Sequence, residues 1–174
     1  MYYSHPVIVQ RTANTFRFCI DFRNLNGCTK PASWPVPLIP SIFERIGHFK
    51  PRMFGVMDLT SGYHQAPLAD AAKPLTAFTC FAGVYQFTRL PVGLKRAPSY
   101  FQEQKATTVL YGLVYNICEM YIADCIVYAD SDAQFLEGLE LVFQRFRLKG
   151  LRVKAKKCKF GIAPYTRCHA VAGR

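Results

Sequence analysis

Acidic residues run out before the chain does. After Glu140 there is no Asp or Glu, whereas Arg145, Arg147, Lys149, Arg152, Lys154, Lys156, Lys157, Lys159, Arg167 and Arg174 all follow. The chain carries 22 Lys+Arg against 11 Asp+Glu, a net charge of +11, and ten of those charges fall after Glu140. Cysteine gives little to build on: there are 7, an odd number, with no C-x-x-C pair. That excludes a disulfide framework or zinc module and fits a reducing, intracellular compartment. His5, His48, His64 and His169 have no ligand spacing with the cysteines and no serine or cysteine nucleophile motif beside them, which excludes a metal or protease site built on them. No apolar run reaches membrane-spanning length and the first residues hold no signal-peptide core, so no membrane partner is expected. Internal repeats and Ser/Gly linkers are absent.

Hydrophobic residues, by contrast, make up 51% and aromatics 14% of 174 residues, enough for one domain with a real core and too many for a disordered chain. The basic end has two readings, a solvated face or a surface that tracks phosphates and binds in a salt-dependent way. Charge alone does not choose between them.

Pro6–Gln10 and Thr15–Asp21 read as strands rich in β-branched and aromatic residues. After a proline-broken connection, Ser41 and Glu44 have capping-box spacing, predicting a short helix to about Phe49. Met53–Leu59 reads as a buried strand. Thr76–Phe81 and Tyr85–Leu90 read as a hairpin around Ala82-Gly83-Val84. Pro98 suits the first turn of a helix running to about Tyr115. Ile117–Ile122 and Cys125–Tyr128 read as a second hairpin turning at Ala123-Asp124. Ser131 and Gln134 then cap a helix whose stripe is Phe135, Leu139, Val142 and Phe146, ended by Gly150. Leu151–Ala155 and Cys158–Ile162 read as basic strands. The order strand, helix, hairpin, helix, strand is a split βαβ arrangement, an α+β antiparallel sheet with helices on one face.

Asp58 and Asp124 stand out because each ends or interrupts an apolar run. A buried carboxylate needs hydrogen bonds, a cation or a metal. One such Asp is ordinarily a turn or cap residue. Two on neighbouring strands are what magnesium needs for nucleotidyl transfer, provided that they meet at adjacent strand tips.

Five segments in order resemble the fingers-and-palm core of a reverse transcriptase of gypsy-like long-terminal-repeat retrotransposons. They are Phe16-Arg17-Phe18-Cys19-Ile20-Asp21-Phe22-Arg23-Asn24-Leu25-Asn26, Val56-Met57-Asp58-Leu59-Thr60-Ser61-Gly62-Tyr63-His64-Gln65, Leu90 through Gln102, Tyr121-Ile122-Ala123-Asp124, and Gly150 through Phe160. The resemblance implies a ferredoxin-like palm at about 34–65 and 97–174 and fingers at about 1–33 and 66–96. It implies RNA-directed DNA polymerisation on an RNA or DNA template-primer with dNTPs and two Mg²⁺ ions. By the same resemblance Asp58, the Leu59 carbonyl and Asp124 hold metal, while Arg17, Tyr63, Val92, Gly93 and Lys157 meet the nucleotide. Tyr63 would be the gate under the sugar, Lys157 would lie near the leaving pyrophosphate, and Arg23 and Asn26 would touch the template.

The departure from the family is at the metal. Ala123 stands where the Tyr-x-Asp-Asp motif has its first aspartate, so polymerisation is expected to be abolished or strongly impaired and Mg²⁺ binding weakened. Lys95-Arg96 and Arg11-Thr12-Ala13-Asn14-Thr15 also depart from the family's pattern. Thr166-Arg167-Cys168-His169 is only faintly similar to its primer grip, and the family's thumb and ribonuclease H are expected to be missing, as in a fragment or degenerate copy. The alternative is a non-catalytic nucleic-acid-binding remnant using the basic segment after Glu140.

Overall fold

A computed structural model describes residues 3–31 and 34–163; the segment similar to a primer grip, with Arg167, His169 and Arg174, lies outside them. The chain divides into two compact units. One contains the described residues up to 31 together with Ser61–Phe101, the other Trp34–Thr60 and the described residues from Gln102 onward.

In the first unit, β1 (His5–Thr12) pairs antiparallel with β2 (Thr15–Asp21), from His5↔Asp21 to Thr12↔Thr15. Asp21 ends the ribbon by turning the chain: its carboxylate accepts the Arg23 backbone N–H at 3.0 Å, and α1 (Arg23–Cys28) begins there. The second hairpin forms, but it is shorter than its hydrophobic pattern predicts. Its strands are β4 (Phe78–Cys80) and β5 (Gly83–Tyr85), and the turn is Phe81-Ala82 rather than Ala82-Gly83-Val84. Pro74–Thr76 coils into a 3₁₀ turn, so the strand cannot start at Thr76. Beyond Tyr85, the Phe87 N–H is taken by the Thr76 hydroxyl at 3.0 Å, which ends the ladder. Phe18, Phe22, Phe78 and Phe87 pack ring against ring, with centroids 5.5–6.3 Å apart.

The second unit is built on a four-stranded antiparallel sheet. It orders β6 (Cys118–Tyr121), β7 (Asp124–Ala129), β3 (Met53–Asp58) and β8 (Lys159–Ile162), a ferredoxin-like arrangement. Alternation along the strands splits the side chains between two faces. α4 (Asp132–Leu148) lies on the face of Gly55 and Val127: a Cβ at Gly55 would come within 3.0 Å of the Phe135 and Phe160 rings. The opposite face carries Phe54, Ile126 and Tyr128, which pack with Ile42 and Ile46 of α2 (Ile39–His48), a helix outside the strand–helix–hairpin–helix–strand order. α2 starts at Ile39, so Ser41 sits inside it and its capping box does not form; Pro40, at home in a first turn, accounts for the earlier start. Arg45 of α2 grips the buried Glu119 of β6 with two hydrogen bonds, at 2.7 and 2.9 Å, and lies over the Tyr115 ring.

α3 (Ala97–Gln104) opens with Pro98 in its first turn and loosens into a π-type turn over Lys105–Val109. It therefore stops short of Tyr115. The Leu110 N–H reaches back to the Lys105 carbonyl at 2.9 Å, and Gly112 and Tyr115 then take positive φ of 78° and 74°, which no helix accommodates. α4 behaves as its pattern predicts. The Ser131 hydroxyl accepts the Gln134 N–H at 3.4 Å, and Phe135, Val142 and Phe146 are buried with Leu139 half-buried. Its end is a Schellman motif, with Leu151 N–H on the Phe146 carbonyl at 2.8 Å, Gly150 N–H on Arg147 at 3.1 Å, and Gly150 at φ 65°. Leu151–Ala155 is not a strand. It makes a single bridge, Leu59↔Val153, before a 3₁₀ turn over Ala155–Lys157. Among the described residues, no helix is long and apolar enough to cross a membrane.

Candidate functional site

The candidate site is the tip of the four-stranded sheet. β3 and β7 pair in register from Met53↔Ala129 to Asp58↔Asp124, so the last residue of one strand faces the first of the other. The connection between β6 and β7 is two residues long, Ile122-Ala123, and Asp124 opens β7 opposite Tyr121. The turn is thus one residue earlier than the sequence reading of Ala123-Asp124. Pairing with Asp58 draws Asp124 into the ladder. Ile122 takes the left-handed φ of 51°, a conformation that a β-branched side chain rarely adopts.

Gln102 holds that turn. Its side chain is buried, its Nε2 donates to the Met120 carbonyl at 2.9 Å, and its Oε1 accepts the Ile122 N–H at 2.7 Å. One amide thus satisfies backbone groups at the start of the turn and just before it. The sequence reading placed Gln102 in a motif but gave it no role. The available signal was a polar residue beside the apolar positions Phe101 and Val109 on one helical segment. Ala123 faces Leu59 through a hydrogen bond from the Leu59 N–H to its carbonyl at 2.9 Å.

Around Asp58 the chain from Arg152 to Lys157 is tied down by backbone hydrogen bonds. Thr60 N–H donates to the Arg152 carbonyl at 2.9 Å and Lys154 N–H to the Asp58 carbonyl at 2.7 Å. Lys157 ends that segment and donates from Nζ to Asp58 Oδ2 at 2.7 Å. Cys125, next to Asp124, is buried; its hydrogen bond with Cys118, then burial, then the Asp124 charge push its thiol upward, so it stays a neutral side chain beside the carboxylates.

Asp58, Asp124 and the Leu59 carbonyl are hard oxygen donors of the kind a magnesium ion takes. They suit one such ion. Two ions sharing carboxylates need more, and the adjoining turn residue Ala123 carries only a methyl group. Among the described residues no group of three or more His, Cys, Asp or Glu side chains could hold a metal.

The remaining predicted residues belong to the first unit. Asn26 bridges the loop at Gly93: Nδ2 donates to the Gly93 carbonyl at 2.8 Å, and Oδ1 accepts the Lys95 N–H at 2.7 Å. Gly93 has φ 101°, suited to glycine, and Val92 beside it is exposed. Arg23 is tied to Asp21 by hydrogen bonds of 2.6–3.0 Å, which hold the Asp21 carboxyl down at about 2. Arg17 is exposed on β2 opposite Val9. Tyr63 lies in a 3₁₀ turn over Gly62–Gln65 with its ring 5.2 Å from that of Phe101.

A family model described as reverse transcriptase (RNA-dependent DNA polymerase) matches residues 8–168. The chain is 36% identical over 144 residues to the retrovirus-related Pol polyprotein from transposon gypsy of Drosophila melanogaster, covering 83% of this chain and 14% of that protein. It is 33% identical over 148 residues to the corresponding polyprotein from transposon 297 of the same organism, covering 85% of this chain and 14% of that protein. It thus spans about one-seventh of the length of these relatives. Among solved structures, the Prototype Foamy Virus protease-reverse transcriptase superposes with a TM-score of 0.80 at 24% identity, over 91% of this chain and 21% of that one. The foamy viral protease-reverse transcriptase in complex with RNA/DNA hybrid gives 0.75 at 20% identity, over 91% and 21%.

Proposed function

The chain belongs to the reverse transcriptase family of retrotransposon polyproteins, and from that premise we propose that it is a fingers-and-palm polymerase core whose nucleotidyl transfer is lost or strongly impaired at Ala123. In this reading, residues 1–33 and 66–96 are fingers and 34–65 and 97–174 are palm. The observation that carries it is the register of Asp58 against Asp124 at one sheet tip. The family uses divalent metal, and Asp58, Asp124 and the Leu59 carbonyl are the residues assigned to it here. A bound ion would offset negative charge on the nucleotide phosphates. Asp58, Asp124 and the Leu59 carbonyl would hold it, and the Ala123 side chain would supply no ligand. Metal stabilisation of a phosphoryl-transfer transition state is worth several kcal/mol, and each ~1.4 kcal/mol is about tenfold in rate.

Arg17, Tyr63, Val92, Gly93 and Lys157 are assigned to the nucleotide. Arg23 and Asn26 are assigned to the template, Asn26 through its grip on the Gly93 loop. A relative solved with RNA/DNA hybrid, together with the exposed Arg147, Lys149, Arg152, Lys154, Lys156 and Lys159, supports a polyanionic template-primer as partner. The same exposed cations would serve a nucleic-acid-binding remnant with no catalysis.

Primer extension on an RNA template with Mg²⁺ or Mn²⁺ tests the reading. The chain as it stands is expected to extend at least about a thousandfold more slowly than Ala123→Asp. Equal rates for the two would overturn the assignment of the defect to position 123.

A further inference from the structure

We propose that Lys157 serves as a built-in cation that competes with a divalent metal for Asp58. The inference rests on the reading of Asp58 and Asp124 as metal ligands. Lys157 Nζ donates to Asp58 Oδ2 at 2.7 Å, and the Asp58 side chain is only 13% exposed, so water screens the contact poorly. An ion that takes this oxygen must first move the ammonium away.

The lysine is also delivered to that position by the backbone. Arg152 and Lys154 are hydrogen-bonded to Thr60 and to the Asp58 carbonyl, and Lys157 N–H closes the 3₁₀ turn on the Lys154 carbonyl at 2.8 Å. The segment that carries the ammonium is therefore fastened to the residue whose carboxylate the ammonium binds. An ammonium on Asp58 lowers the negative charge that this carboxylate offers a dication, and Ala123 adds no carboxylate to make up for it. The side chain of Lys157 is 37% exposed, so it has room to swing out when a stronger cation arrives.

Mn²⁺ binding to the protein, followed by loss of the free-ion electron paramagnetic resonance signal, tests this without any reaction. Lys157→Met is expected to bind Mn²⁺ about tenfold more tightly than the unaltered chain, equivalent to about 1.4 kcal/mol. Lys157→Gln, which keeps a donor without the charge, is expected to gain to the same extent and stands in if the Met variant does not fold. Lys157→Arg, which keeps the charge, is expected to gain nothing, and adding Asp58→Asn to Lys157→Met should abolish the gain. If Lys157→Met and Lys157→Gln bind no better while Ala123→Asp does, competition is refuted and the carboxylate pair stands as a metal site. If no variant binds, Ala123→Asp included, both this inference and the metal-site reading fall.

Discussion

Two of the hairpins with two-residue turns solve the same backbone problem differently. In the first unit, β4 and β5 turn through Phe81-Ala82, and the residue with positive φ is Gly83, at 129°, where glycine avoids the cost a Cβ would bring. In the second unit, β6 and β7 turn through Ile122-Ala123, and the positive φ of 51° falls on isoleucine. A left-handed non-glycine residue costs about 1–2 kcal/mol. The peripheral hairpin avoids that cost through its sequence. The site hairpin bears it because Gln102, the Asp58↔Asp124 pairing and the Leu59–Ala123 hydrogen bond over-determine the turn. At this hairpin the backbone strain thus sits beside the candidate metal ligands, where neighbours fix the geometry.

The comparison can be broken at its strongest point first. Gln102→Leu keeps the volume but leaves the Met120 carbonyl and the Ile122 N–H without their partner. A loss of about 3 kcal/mol is expected in chemical denaturation, since each buried unsatisfied group costs about 1–3 kcal/mol. Gly83→Val asks the peripheral hairpin to bear the strain its counterpart bears. A Cβ there would meet nothing within 4 Å, so the whole effect comes from the backbone, and about 2 kcal/mol should appear as faster amide exchange across Cys80–Tyr85. Ile122→Gly sharpens the comparison from the other side. Relief of the positive φ is partly cancelled by the entropy of an added glycine and lost side-chain contact, leaving a gain below about 1 kcal/mol in thermal unfolding.

Much of the fold was legible because it is local. The stripe Phe135, Leu139, Val142, Phe146 with its Ser131 cap and Gly150 stop specified α4, and the strands at Met53–Asp58 and Cys118–Ala129 followed from apolar runs. Errors arose where a neighbour overruled a local signal. Ser41 does not cap α2 because Pro40 lets the helix start at Ile39, and the β6–β7 turn moved one residue because Asp124 pairs with Asp58. Asn26 carries no local sign that its amide bridges the Gly93 loop, a contact 67 positions away. Gln102 carries no local signal of its role, since a helical glutamine becomes a clamp only when a hairpin is laid against it.

Covalent chemistry and periodicity alone placed the acidic side chains, the methyl group at position 123, the basic end, and the order of strands and helices, all properties of the chain read residue by residue. Folding had to decide which groups meet. Lys157 reaches Asp58 across 99 positions, and Arg45 reaches Glu119 across 74. Nothing in the local pattern distinguishes either cation from its neighbours, because an ion pair depends on where two distant backbones come to rest and on how much water is left between them.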